Sequence, residues 1–76
     1  MIDEDKLPVG QVLRALRVHI GMTQTQFGEM LGWSRVRITR LENGQFQPTL
    51  STLNRIAART GYKASKIIAK AEKLSV

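Results

Sequence analysis

Cysteine does not occur in this chain. That removes disulfide staples, thiolate metal sites and a cysteine nucleophile together. Long apolar runs are missing too: nothing approaches the ~20 consecutive apolar residues a membrane-spanning helix needs. The first residues, MIDEDK, are acidic where a secretory signal would be basic. The expectation is a cytoplasmic protein, neither secreted by the usual route nor spanning a membrane. Histidine occurs once, at His19, with no second histidine, thiol or carboxylate cluster to complete a metal or catalytic site. There is no phosphate-cradling glycine loop, no nucleophile–base pair and no paired carboxylates. No enzyme activity and no cofactor are expected. His19, near a helix end, reads as a surface residue easing the helix C-terminus.

Acidic residues are scarce and unevenly placed. Six Asp/Glu stand against twelve Lys/Arg, for a net charge of +6. Asp3, Glu4 and Asp5 are half of the acids, so from Lys6 onward only Glu29, Glu42 and Glu72 oppose all twelve basic residues. A field of that sign on a 76-residue body attracts polyanions and speeds encounter with them. Solubility alone also favours a net charge away from zero, so the argument must rest on where the charges sit. The length allows one domain and one small core, with an expected stability of about 3–5 kcal/mol.

Residues 1–8, MIDEDKLP, lack periodicity and are expected to be a mobile leader, with Pro8 near the first helical position. Residues 9–76 are the expected domain. Val9, Val12, Leu13, Leu16 and Ile20 recur at helical spacing and stop at Gly21. Thr23-Gln24-Thr25-Gln26 reads as a capping box, with Met22 and Phe27 as a hydrophobic staple. The second helix carries Phe27, Met30 and Leu31, and Gly28 in its interior costs ~1 kcal/mol relative to Ala. A glycine kept there predicts a close backbone approach. Gly32 ends that helix. Ser34 caps the third, with Trp33 placed to staple onto Ile38 as a core plug, and Asn43-Gly44 ends it. After a loop holding Pro48, Thr49 caps a fourth helix whose expected buried stripe is Leu50, Leu53, Ile56 and Ala57. A fifth, Lys63–Leu74, has Ile67, Ile68, Ala71 and Leu74 on one stripe, with Lys66, Lys70 and Lys73 facing away. Nothing alternates with period two. The fold class is all-α, with five short helices.

The stretch SRVRITRLENG, Ser34 to Gly44, concentrates the argument. Ile38 and Leu41 share one stripe of its helix, leaving Arg35, Val36, Thr39 and Arg40 on the other side. A basic face taken alone is often only a solvated face. The placement of Gly28, Gly32 and Ser34 is what that reading leaves unexplained: two short helices joined by a tight glycine turn are a helix-turn-helix.

The sequence resembles the Cro/lambda-repressor (XRE) helix-turn-helix family. The matching residues are Gly21-Met22-Thr23-Gln24, Phe27-Gly28, Leu31-Gly32, Ser34-Arg35, Ile38 through Gly44, Pro48-Thr49-Leu50, Thr52-Leu53 and Ile56-Ala57. The resemblance runs over roughly residues 9–74 in order. It implies a five-helix lambda-repressor-like DNA-binding domain whose third helix enters the major groove of double-stranded DNA. By position, Ser34, Arg35, Val36, Thr39 and Arg40 become candidates for base contacts. Arginine can donate bidentately to guanine, and valine can pack on a thymine methyl. Gln24, Arg37, Asn43, Gln45 and Gln47 become candidates for phosphate contacts. The resemblance also implies a structural pair between Arg17 and Glu42. It implies a nucleoid-associated repressor that acts as a homodimer on a pseudo-palindromic operator. Dimerisation is expected to use the fifth helix and the loop before the fourth, with Tyr62, Ile67, Ile68, Ala71 or Leu74 as candidates, most of which are expected to lie in the intramolecular core instead. An activator would touch RNA polymerase instead. The alternative from another class is an antitoxin that binds a toxin and represses its own operon.

Overall fold

The computed structural model describes residues 7–75, so residues 1–6 of the expected leader lie outside the described residues, as does Val76. Five α-helices and no strand occur among the described residues: α1 (Val9–His19), α2 (Gln24–Leu31), α3 (Arg35–Glu42), α4 (Leu50–Thr60) and α5 (Ala64–Leu74).

Local chemistry sets most of the ends. Pro8 stands one place before α1, as its N-cap, rather than inside the first turn. After α1, Gly21 adopts φ +77°. The Met22 amide then reaches back to the Arg17 carbonyl at 3.0 Å, a Schellman-type stop. At α2 the capping box is complete: Gln26 N–H donates to Thr23 Oγ1 at 3.1 Å, and Thr23 N–H to Gln26 Oε1 at 2.9 Å. Ser34 Oγ accepts from the Arg37 amide at 3.2 Å, and Thr49 Oγ1 from the Thr52 amide at 3.1 Å.

The helices close around Leu13, Phe27, Leu31, Ile38, Leu41 and Ile56, all fully buried, with Ile67 and Ala71 contributed by α5. Two leucines depart from the expected stripes, and Ala57 is only half-buried. Leu50 is 63% exposed, because α4 buries Thr52, Leu53 and Ile56, and Leu50 lies about 100° round the helix from that face. Leu74 is 60% exposed; it keeps the stripe of α5 but is its last residue, and it lines an open groove rather than the core. Leu7, by contrast, packs against the core, and its carbonyl accepts from Gln47 Nε2 at 2.9 Å.

Two helix-interior glycines mark where elements meet most closely. A Cβ on Gly28 would collide with the Trp33 carbonyl oxygen and stand 3.3 Å from Ile38 Cγ1. The backbone pressing on Gly28 is therefore that of the turn, with α3 adding a side chain. Gly10 is a second such point: a Cβ there would collide with the Leu41 carbonyl, at the end of α3. Intrinsic propensity favours alanine over glycine by ~1 kcal/mol in a helix. At Gly10 the sign should invert, since overpacking against rigid backbone costs about 1–3 kcal/mol. Gly10→Ala should lower the midpoint of urea unfolding. A raised midpoint would mean that α1 and α3 do not approach as closely as described.

Candidate nucleic-acid interface

The centre of the site is a buried carboxylate. Glu42, at the end of α3, has a side chain only 2% exposed. Burying an ionised carboxylate is costly unless charge and hydrogen bonds compensate it. Here Arg17 Nε donates to Oε2 at 2.7 Å and Arg17 Nη2 to Oε1 at 3.1 Å, a bidentate pair. Gln24 Nε2 adds a third donor to Oε1 at 3.1 Å. Arg17 Nη1 also holds the Met22 carbonyl at 2.9 Å, fixing the α1–α2 link. Thr39 Oγ1 donates to Gln24 Oε1 at 3.0 Å and lies 3.1 Å from the Arg35 carbonyl. Among the described residues, no buried side-chain nitrogen or oxygen lacks a partner. Three helices are thus joined through one carboxylate.

That junction holds α3 with Ile38, Leu41 and Glu42 inward. Ser34, Arg35, Val36 and Arg40 are exposed on its outer side, with Val36 at 58%. Thr39 differs from the other base-contact candidates: it is half-buried and its hydroxyl faces the Gln24 amide. Asn43 is the C-cap residue and exposed, followed by Gly44 at φ +76° and by exposed Gln45. Gln47 is also exposed, with its amide donating to Leu7.

On the flank away from Gln24, the Arg37 guanidinium stacks 3.7 Å from the centroid of the Trp33 ring and 6.0 Å from that of Phe46. The two rings are themselves 6.0 Å apart and tilted by 48°. Such a cation–π contact holds an exposed arginine at an orientation it would otherwise sample freely. Trp33 is thus half-buried, lying against the core with its face given to Arg37.

Reasoning from sequence did not find the inward engagement of Gln24 and Thr39, nor three further features. The Arg37–Trp33 stack had a weak signal, since the residues are four apart across a cap. Gly10 carried the same signal as Gly28, a glycine inside a helical pattern. Arg55, whose Nη2 donates to the Leu31 carbonyl at 2.7 Å and closes the end of α2 from α4, gave no signal. Among the described residues, no group of three or more His, Cys, Asp or Glu could hold a metal ion. No helix among them is long and apolar enough to cross a membrane.

A family model described as helix-turn-helix matches residues 13–67. The chain is 34% identical over 62 residues to a protein described as the immunity repressor of Bacillus phage phi105, covering 82% of this chain and 43% of that protein. It is 37% identical over 57 residues to the 10 kDa protein of the ImmF control region of the same phage, covering 75% of this chain and 61% of the relative. The chain therefore spans about half the length of the curated relatives it matches.

Glu42→Ala would leave Arg17, itself 12% exposed, with the Met22 carbonyl as its remaining partner. Stranding one member of a buried pair costs about 3–5 kcal/mol. That is comparable to the whole expected stability, so a collapse of the thermal transition is the expected outcome. An unchanged melting temperature would refute the bracing role.

Proposed function

We propose, for a chain that belongs to the Cro/lambda-repressor-like (XRE) helix-turn-helix family, that it is a sequence-specific DNA-binding repressor acting as a homodimer. The carrying observation is the outer face of α3. A large apolar side chain, Val36, is left 58% exposed beside Arg35 and Arg40 on a helix anchored from behind. Against a major groove, arginines can donate to guanine O6 and N7 while the valine meets a thymine methyl.

Ser34, Arg35, Val36 and Arg40 take the base edges in this reading, and Thr39 acts at their margin while orienting Gln24. A primary amide has two N–H groups; Gln24 gives one to Glu42, and the other meets a phosphate at the start of α2. Arg37, stacked on Trp33, presents its edge to a second phosphate, and Asn43, Gln45 and Gln47 line the path of the backbone beyond α3. A dimer reads two half-sites about one helical turn, ~34 Å, apart. The phi105 relative described as an immunity repressor supports repression as the sign of control; an occupied operator then keeps polymerase from its promoter.

Selection of bound duplexes from a random library tests the proposal, with an enriched pseudo-palindrome as the expected result and no enrichment as the refuting one. Arg35→Ala should cost about 1–3 kcal/mol in affinity and relax the preference at a single base pair. An equal loss on every sequence would make Arg35 a phosphate contact. Affinity should fall steeply between low and physiological salt as counterions are released. A flat profile in a salt titration would count against the electrostatic part of the proposal.

A further inference from the structure

An open groove of about 800 Å³ runs between α1 and α5. It lies on the far side of α1 from the reading helix. Gly10 and Arg17 of α1 meet Leu41 and Glu42 of α3, whereas Gln11, Ala15 and His19, about half a turn round, line the groove. Its floor is apolar: Val12, Leu16 and Ile67 are buried there. Its rim is cationic, since Lys63 at the N-cap of α5 and Lys66, Lys70 and Lys73 within it all line the groove at helical spacing. No carboxylate is among the lining residues; Glu72 falls on the other side of α5. His19 and Tyr62, edge-to-face at 6.3 Å, lie at one end, and exposed Leu74 lies at the other.

We propose that this groove docks an acidic amphipathic helix of another protein while α3 remains free to hold DNA. Apolar residues of the incoming helix cover Val12, Leu16 and Ile67, and its carboxylates face the lysines. The occupant follows from charge and shape. The lysines extend over about 15 Å of α5, near three turns of a helix, which is too long for a single small anion. A second copy offering the same face would set lysine against lysine, which like-charge repulsion disfavours, so Tyr62, Ile67 and Leu74, which line the groove, drop out of the expected dimer contact and the homodimer forms on another face. A bilayer needs a projecting apolar surface, and this floor is recessed. The duplex on α3 lies across α1. The apolar floor and cationic rim fit the helix-in-groove mode, with apolar anchors at three-and-four spacing and acids beside them.

The test uses the full chain and a fluorescein-labelled peptide of about twelve residues, Leu at helical spacing with Glu between. Its controls are a scrambled Leu/Glu peptide and a Leu/Lys version. Fluorescence anisotropy should show binding of the Leu/Glu helix, weaker binding of both controls, and a drop of about tenfold or more with Lys66→Glu/Lys70→Glu. Both lysines are exposed, so the variant should keep its fold, read by circular dichroism. Equal binding of the Leu/Lys peptide, or indifference to the charge reversal, would overturn the proposal. Two further results would also overturn it by assigning the groove elsewhere: self-association in sedimentation that the charge reversal abolishes, or phosphatidylserine-vesicle binding that outcompetes the peptide. A parallel arm adds saturating selected duplex, and the peptide should stay bound. Its displacement would place it on α3 and refute the groove. The arm without DNA does not depend on the DNA-binding reading, so the two can fail separately.

Discussion

A carboxylate taken out of water needs compensating charge and hydrogen bonds, and in this chain that requirement falls on Glu42. Arg17 supplies charge and two hydrogen bonds, and Gln24 a third. Because the donors come from α1 and α2 and the acceptor from α3, satisfying the carboxylate fixes the mutual placement of three helices. Hydrophobic packing of Leu13, Phe27, Ile38 and Leu41 is non-directional and would tolerate small rotations of α3. The bidentate pair would not. Glu42 also neutralises Arg17 behind α3, so the uncompensated charge stands in front, on Arg35 and Arg40.

Orientation of α3 then divides its surface into three strips. Towards α2, Thr39 bonds Gln24 and ties α3 to its neighbouring helix. At the centre, Val36 and Arg40 project freely. Towards the loop, Arg37 lies on Trp33. Two of the three strips are held before any ligand arrives, which lowers the ordering cost that binding must overcome. The central strip keeps its rotamer freedom, and α1 separates all three from the lysine rim on α5.

What could be read from the sequence was whatever local chemistry decides. Thr23 with Gln26, Ser34, Thr49, Gly21 and Gly32 each act within a few residues, so helix ends and the tight turn were legible. The Ile38–Leu41 stripe gave the inward side of α3 by periodicity alone. Leu50 was misplaced because two apolar residues three apart do not say where a buried face is centred, and Thr52 shifts it round. Gly10 meeting Leu41 and Arg55 meeting Leu31 depend on the approach of residues about thirty and about twenty-four apart in sequence. Pairing at that distance leaves no local mark of the partner, although Gly10, like Gly28, stands out as a glycine inside a helical pattern. The inward engagement of Thr39 and Gln24 was equally invisible, since each residue alone is as suited to DNA as to the other.

Trp33 is the only tryptophan of the chain, and a guanidinium lies on its face at the edge of the reading helix. Indole emission responds to the polarity and charge of what touches the ring, so this one residue is an optical label at that edge. Anything that draws Arg37 off the ring would change that emission. The unmodified chain thereby carries a probe on the face where Arg37 lies.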